Sequence, residues 1–241
     1  MTSLLAWHGT RADGTTRYLK VKEIVGVKNL LTGDVELCKN ALHGSLRAVD
    51  MLQYSEGLWI KRTLHEGVVL HDTNKIGSSE RTVVGEADAT HMVSDWAFWC
   101  ADRAVRIHAV TALRQAGMDT VAEELAGLEA ITDKKSAIAA SNAAYAVHTA
   151  NINVIAHAAY AAVRDAAHAA DVAANAAHAG TAVARAAHAV RAADFAAAAV
   201  RAAANTTCAA TDNADEMDFL NAELERRLLA LMGLTETEVT Q

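Results

Sequence analysis

The chain has 241 residues, carries a formal net charge of −7 and contains no proline. Residues 1–85 hold 11 Lys and Arg against 9 Asp and Glu, whereas residues 86–241 hold 11 against 20. Neither part has the concentrated positive charge that binds a phosphate backbone, so the composition argues against a nucleic-acid partner.

The cysteines and the apolar segments narrow the class of protein further. Cys38, Cys100 and Cys208 lie far apart in the chain, which argues against a disulfide framework and against a zinc site built on cysteine. The first ten residues lack the pattern of a signal peptide, and no segment approaches the ~20 apolar residues of a membrane span. The sequence therefore predicts a cytoplasmic protein with no membrane partner and no cofactor.

Residues 1–86 predict a small α+β domain. Short apolar and β-branched runs separated by turn residues predict six strands: Leu4–Trp7, Arg17–Val21, Val35–Cys38, Leu58–Leu64, Val68–His71 and Arg81–Gly85. Ser45 has a side chain suited to a helix N-cap, and the apolar residues after it repeat at three-residue spacing. We therefore expect a short helix that begins at Ser45 and ends near Tyr54.

Residues 87–132 predict connecting helices. Thr90 or Ser94 can cap a helix that ends before Gly117, a residue typical of helix C-termini. A second helical segment begins at Asp119. Because proline is absent, the strongest helix breaker is missing from this region.

Residues 133–204 predict alanine-rich helix. Of the 69 residues from Ser136 to Ala204, 35 are alanine, the residue with the highest helix propensity. Asn151–Asn153 and Gly180 are the candidate breaks, so the pattern leaves open either one long rod or a bundle of shorter helices.

Residues 205–241 predict a polar loop followed by an amphipathic C-terminal helix from Glu216 to about Met232. The expected fold is thus an α+β N-terminal domain plus an all-α alanine-rich helical bundle or rod. Helix predominates over the whole chain.

The polar residues of the alanine-rich region recur at three- and four-residue spacing, with one gap. They form one stripe on a surface that is otherwise mainly alanine and valine: Arg164, His168, Asp171, Asn175, His178, Arg185, His188 and Arg191. A helix that is apolar around most of its circumference must be covered. The stripe therefore predicts an interaction surface for a second copy or a partner protein. The five histidines of the region have no i,i+3 or i,i+4 pair, so we expect no metal site.

Three stretches between residues 34 and 84 carry a resemblance to known proteins. They are ELCKNALH at Glu36–His43, AVDMLQY at Ala48–Tyr54, and a tail that contains Asp72, Lys75 and Arg81. They resemble a small uncharacterised domain found in many bacteriophage and bacterial proteins. In those proteins a Trp-Cys helix and a long alanine-rich repeat often follow, as they do here. The helical part is also similar to a family of immunity proteins built from alanine-rich helices. The resemblance implies a phage origin, and the family has no assigned activity to carry over to this chain. For a phage-encoded protein, we expect a location in the host cytoplasm and a host factor or host defence as the target.

The motif Trp7-His8-Gly9-Thr10 is the strongest indication of a ligand site. It is similar to the first motif of ADP-ribosyltransferases, in which a histidine pairs with the ribose of NAD. Such an enzyme needs a catalytic glutamate, and the candidates are Glu66, Glu80 and Glu86. None of the three stands in a sequence context that identifies it.

His43 precedes the predicted short helix, whose N-terminal N–H groups would favour an anion. The sequence therefore predicts a ligand site formed by His8, His43, Ser45 and Tyr54. Two classes of function stay open. The alanine face favours a non-enzymatic interaction or self-assembling module, of which a purely architectural assembly protein is one form. The alternative is a small-ligand, nucleotide-like binder or a degenerate ADP-ribosyltransferase-like domain.

Overall fold

The computed structural model describes residues 3–16, 20–150, 157–179, 181–204 and 212–235. Its strands are β1 (Leu4–Thr10), β2 (Lys28–Leu30), β3 (Leu42–Gly44), β4 (Trp59–His71) and β5 (Ile76–Asp88). Its helices are α1 (Ala48–Tyr54), α2 (Thr90–Arg103), α3 (Val110–Gln115), α4 (Asp119–Ala126), α5 (Lys134–Ala150), α6 (His157–His178), α7 (Ala182–Ala204) and α8 (Asp212–Met232). A π-helical turn, Ala104–Ala109, joins α2 to α3. The chain is therefore of the α+β class and mostly helical, as expected.

The chain divides into two compact units. The first unit consists of Met1–Met92, Thr181–Ala186 and Asn221–Gln241, and the second unit of Val93–Gly180 and Ala187–Leu220. Each unit thus combines segments that are distant in sequence. The four-part division of the chain at residues 86, 132 and 204 stays a prediction.

The first unit is built on one antiparallel sheet. β4 pairs with β1 on one side and with β5 on the other. The far edge of β5 pairs with β3 at residues 76–78 and with β2 at residues 80–82. Gly67, with a φ of +72°, lies in an irregularity of the β4–β5 ladder between Glu66 and Val69, where a positive φ favours glycine.

Ser45 closes the sheet of the first unit. Directly after β3, its backbone N–H and carbonyl exchange hydrogen bonds of 2.9 and 2.7 Å with Trp7 of β1. The pairing therefore runs from β1 through β4, β5 and β3 back to β1. Along one face of β4, the side chains of Lys61, Thr63 and His65 are fully buried. Closure has turned a polar strand face into an interior.

Two predictions for the first unit are wrong. Val35–Cys38 is not a strand, because Glu36 and Asn40 exchange main-chain hydrogen bonds of 2.7 and 2.8 Å across a tight turn. Ser45 does not cap α1, because its backbone pairs with β1 and the helix begins only at Ala48.

The other strand predictions are confirmed with different limits. Leu4–Trp7 lies within β1, Leu58–Leu64 and Val68–His71 belong to the single strand β4, and Arg81–Gly85 lies within β5. β2 and β3 were not expected, because three residues are too short for a strand period to show. Arg17–Val21 falls partly outside the described residues.

Helix α8 supplies the N-terminal cap of α1. Oδ1 of Asn221 accepts the N–H of Val49 at 3.0 Å, and Oε1 of Glu225 accepts the N–H of Ala48 at 3.0 Å. Asn221 also donates to Glu225 at 2.9 Å, which links the two caps. The first N–H groups of α1 are therefore occupied by the chain itself. From the sequence, we expected a ligand anion at this end of the helix. The carboxylate of Glu225 occupies that position instead.

The second unit contains the aromatic helix expected after residue 87. The chain stays helical from α2 through the π-helical turn to Gln115, and Gly117, with a φ of +73°, follows the helix as expected. Trp96 is fully buried, and its indole N–H donates to the carbonyl of Leu220 at 3.1 Å. Phe98 is also buried, so these aromatic residues are core.

The alanine-rich region forms the separate helices α5, α6 and α7. The candidate breaks, Asn151–Asn153 and Gly180, lie outside the described residues, but the helices end and restart on either side of them. α5 packs against α6, and the hydroxyl of Ser141 donates to the carbonyl of Ala167 at 3.2 Å. Asp133 accepts the N–H of Ser136 at 2.8 Å and caps α5, as expected. Among the helices of the described ranges, none is both long and apolar enough to cross a membrane.

A buried ion cluster holds the first turns of α8 within the second unit. Arg103 binds both carboxylate oxygens of Glu216 at 2.9 and 3.0 Å, and Nε2 of His108 lies 3.1 Å from one of them. The guanidinium of Arg103 also lies 4.5 Å from the ring centre of Phe219. Burial alone raises the pKa of Glu216, but the hydrogen bonds from His108 and Arg103 outweigh it and hold the pKa at about 2.

We expect Glu216→Gln to lower the free energy of unfolding at pH 7 by on the order of 1–3 kcal/mol. The carboxylate's folded pKa is depressed, so its contribution is complete above about pH 4.5 and is lost as the pH falls towards 2. The difference in the free energy of unfolding between wild type and variant, measured by urea unfolding, should therefore decrease as the pH is lowered. Glu123→Gln, which breaks an exposed ion pair with Arg114, serves as the control and should change stability little. Equal losses in both variants would contradict this account.

Candidate functional site

A cavity of about 170 Å³ lies in the first unit. It is lined by Trp7, His8, Gly9, Thr16, Cys38, Ala41, Leu42, His43, Gly44, Ser45, Met51, Tyr54, Lys75 and Arg81. An engineered cavity of ~150 Å³ in another protein holds benzene. This cavity therefore has room for one phosphate, one carboxylate group or one small ring.

The cavity exists because the sheet closes. β1 contributes Trp7 and His8, and the segment from β3 to Ser45 crosses beside them through the main-chain pairing of Ser45 with Trp7. α1 adds Tyr54, whose side chain is 46% exposed, and its hydroxyl donates to Oδ1 of Asn74 at 2.8 Å. β5 and the turn before it add the two cationic side chains. Residues that are more than seventy positions apart thus share one wall.

Within the described part of the chain, the lining carries positive charge without any carboxylate. Lys75 and Arg81 are the two cationic residues among the described lining residues, and no Asp or Glu is among them. Lys75 sits at the rim, where its ammonium lies 3.5 Å from Asp72 and 5.7 Å from the ring centre of Tyr54. A wall with two cations and several N–H and O–H donors suits an anion or a strong hydrogen-bond acceptor.

Arg81 is fixed in place by a buried ion pair. Its Nε and Nη2 donate to Oε1 of Glu23 at 3.1 and 2.5 Å, and its Nη1 donates to the carbonyl of His43 at 2.5 Å. The side chains of Arg81 and Glu23 are only 3% and 4% exposed. These bonds use three of the five N–H donors of a guanidinium. Two donors on a rigid group are left for other acceptors.

Glu23, the ion-pair partner of Arg81, is also contacted by Lys61. Its ammonium is fully buried, donates to the carbonyl of Glu23 at 3.0 Å and lies 3.4 Å from Oε2 of Glu86. Lys61 does not line the cavity. It adds positive charge behind the wall and helps to fix Glu23.

The pKa values of three histidines, His8, His43 and His65, are lowered in part by the positive charge near the cavity. Burial and then the charge of Arg81 lower the pKa of His8, of His43 and of His65, in His65 to about 3. His65 is held under the wall by bonds of 3.0 Å to Thr63 and 2.8 Å to Ser78. At neutral pH the three rings are therefore uncharged, and the positive charge of the wall belongs to Lys75 and Arg81.

Several buried polar atoms of the wall lack a partner. Trp7 Nε1, His8 Nε2 and Thr16 Oγ1 are buried and make no hydrogen bond within the described part of the chain. Each such atom costs roughly 1–3 kcal/mol if it stays unsatisfied. A bound molecule or an ordered water is the usual source of the missing partner.

The four ligand residues predicted from sequence come together in this cavity: His8, His43, Ser45 and Tyr54. The sequence reasoning assigned no role to Lys75, Arg81 or Glu23. Lys75 and Arg81 belong to the tail of the family resemblance, which was the one signal that pointed to them. Glu23 carried no signal, because its partner lies 58 positions away.

The candidate catalytic glutamates lie elsewhere. Glu66 and Glu80 bind Lys28 at 2.8 and 2.9 Å, and Glu86 lies beside Lys61. None of the three lines the cavity. The geometry thus places no carboxylate where a transferase would need one.

The polar stripe of the alanine-rich helices is not uniform. His168 accepts or donates a 2.8 Å hydrogen bond with Tyr145 of α5 and stacks on Phe195 of α7, with ring centres 5.2 Å apart. Arg164, Asp171, Asn175 and Arg191 are exposed, and Arg185 and His188 are half-buried. The side chain of His178 lies outside the described residues. His168 is therefore an inter-helix contact, whereas the exposed members stay candidates for an interaction surface.

Comparison with protein-family models, with curated proteins and with solved structures finds no match to this chain. Within the described ranges, no three His, Cys, Asp or Glu side chains come together as a metal site requires. The site must therefore be interpreted from its own geometry.

We expect the first unit to lose stability as the pH falls below about 6.5. The folded pKa of His65 is depressed to about 3, so the unfolded chain binds a proton that the folded chain excludes. Between pH 7.5 and 5.5 this one residue should remove about 1 kcal/mol. Amide exchange in β4 and β5, corrected for the intrinsic effect of pH, measures the change.

His65→Asn should make this pH dependence less steep but not abolish it, because His8 and His43, whose pKa values are also lowered, still contribute. The variant starts from a lower stability. His91→Asn, at an exposed position in the same unit, should keep the wild-type slope. A wild-type protein whose β4 and β5 protection is the same at both pH values would refute the assignment.

Proposed function

We propose that the first unit binds a small anionic molecule in the cavity between His8, His43 and Arg81. The observation that carries this proposal is a wall whose described residues include two cations, several donors and no carboxylate. An enclosed positive wall attracts an anion more strongly than a solvated lysine does, because water screens it less. The predicted site residues support the same conclusion from sequence.

The rigidity of Arg81 supports binding rather than a merely structural role for the charge. Its ion pair with Glu23 holds the guanidinium before any ligand arrives, so little conformational entropy is lost on binding. The neutral imidazoles of His8 and His43 add groups that can donate or accept a hydrogen bond. An anion would also relieve the mutual repulsion of the cations around the cavity.

The size of the cavity limits the ligand. About 170 Å³ accepts one anionic group or one ring but not an entire dinucleotide. The half-exposed ring of Tyr54 at the rim offers an apolar face on which a second part of the ligand can lie. The ligand class that fits is a small phosphate or carboxylate compound, with mononucleotides included. The absence of a glutamate from the lining favours binding over ADP-ribosyl transfer.

An interaction module is the second candidate function, and one observation favours it. The segment before β3 exposes a cluster of large apolar side chains: Val21, Ile24, Val25, Val27 and Leu30. Exposed apolar clusters are typical of docking surfaces. The alanine face supports assembly less than the sequence suggested, because many alanines of α6 and α7 are buried within the single chain. Their arrangement supports an alanine-rich helical bundle, in which α5, α6 and α7 meet at His168. Phage origin and action in a host cytoplasm stay predictions.

We expect the protein to bind inorganic phosphate and AMP, and to bind uncharged adenosine more weakly. Lys75→Gln should raise the Kd for phosphate about tenfold, since it removes one of the two cations. Lys135→Gln removes the same charge from an exposed position in α5 and is the matched control. Isothermal titration calorimetry on the three proteins measures the effect. The proposal fails if the wild type binds neither anion, or if both variants bind them as the wild type does.

A further inference from the structure

We propose that Cys38 is a covalent attachment site, whose sulfur at the mouth of the cavity takes up small anionic electrophiles. The proposal rests on the anion-binding function above, because the cationic wall would hold the ligand against the sulfur. The proposal assigns a reactive role to Cys38. It also limits the ligands of this reaction to anionic compounds that carry an electrophilic carbon.

The fold holds Cys38 at a fixed point on the cavity wall. It occupies the tight turn closed by the main-chain bonds between Glu36 and Asn40, where it has a φ of +67°. Its backbone N–H donates to Nε2 of His43 at 3.1 Å. The side chain is exposed and lines the cavity. The sulfur is therefore both accessible to solvent and adjacent to the proposed ligand.

Lys75 gives the sulfur an ionic partner. Its ammonium donates to Sγ of Cys38 at 3.1 Å, and Asp72 is its second neighbour at 3.5 Å. The hydrogen bond with Cys38 is the first cause of a raised pKa for Lys75, opposed by burial and supported by Asp72. A cation in contact with sulfur favours the thiolate, which is the nucleophilic form of cysteine.

The wall around Cys38 also holds two buried hydrogen-bonding groups that can serve a ligand. The indole N–H of Trp7 belongs to a fully buried side chain that lines this cavity, and it has no acceptor within the described ranges. The same holds for the hydroxyl of Thr16, whose side chain is 6% exposed. Trp7, Thr16 and Cys38 line the same cavity.

The chemical step is a simple displacement. Sγ of Cys38 attacks the electrophilic carbon, the S–C bond forms, and the bond to the leaving group breaks with its electron pair. The proton of the thiol passes to solvent, and the ammonium of Lys75, 3.1 Å from Sγ, favours its loss. The ligand's carboxylate or phosphate is held by the cationic wall, which brings the carbon to the sulfur.

The other described cysteine cannot compete. Cys100 is fully buried in α2 and therefore inaccessible to a solute. Cys208 lies outside the described residues, so the experiment must locate the label by peptide mass. Cys38→Ser provides the blank for labelling at Cys38.

A pair of alkylating agents that differ in charge tests the proposal. Iodoacetate carries a carboxylate and iodoacetamide does not, and both release iodide. We expect the rate ratio of iodoacetate to iodoacetamide at Cys38 to exceed that of free glutathione about fivefold or more. Lys75→Gln should bring the ratio close to that of glutathione. Lys39→Gln, next to Cys38 but outside the lining and paired with Glu36, should largely keep the wild-type ratio.

The outcomes separate the two proposals. A wild-type ratio equal to that of glutathione, or equal in wild type and Lys75→Gln, overturns the assignment of Cys38. Phosphate binding by Cys38→Ser, measured by calorimetry, tests the anion site without the thiol. If that variant binds phosphate while the wild type shows no charge-selective labelling, only the covalent site fails. If neither is observed, both proposals fail.

Discussion

The buried pairing of Arg81 with Glu23 is the interaction on which the first unit depends. Removing two charges from water is costly, and only good geometry with further hydrogen bonds offsets that cost. Here Glu23 takes two bonds from Arg81 and one contact from Lys61, while Arg81 also binds the carbonyl of His43. One ion pair thus ties β3, β4, β5 and the segment before β2 together. If one partner were removed, the other would remain as an unpaired charge in the interior.

The same ion pair gives the cavity its chemistry. It fixes a guanidinium in the wall, and the field of that group, added to burial, keeps His8 and His43 neutral. The closure of the sheet by Ser45 then encloses these groups with Lys75 in one space. A positive interior is unfavourable for folding but favourable for an anion. In the proposed function, the charges that stabilise the fold are also the ones that would hold the anion.

The sequence predicted the parts of this protein that local patterns control, and missed those that depend on pairing across the chain. Caps and stops, such as Asp133 and Gly117, marked the helices correctly because they act within a few residues. In β4, Lys61, Thr63 and His65 are residue types that more often lie at the protein surface or at intermediate depth than in the core. Closure by a three-residue strand buries them instead. His8 and His43 could be predicted as a site from their motifs, whereas the role of Arg81 depends on the distant Glu23.

The central claim is that the cavity is an anion site. The charge of Arg81 in its wall adds to burial in lowering the pKa values of His8 and His43. Proton NMR of the ring signals of His8 and His43, titrated with pH in the absence and presence of inorganic phosphate, tests it most directly. An anion in the cavity opposes the charges of Arg81 and Lys75, so phosphate should raise the pKa values of both His8 and His43. Titration curves of His8 and His43 that coincide with and without phosphate would contradict the account.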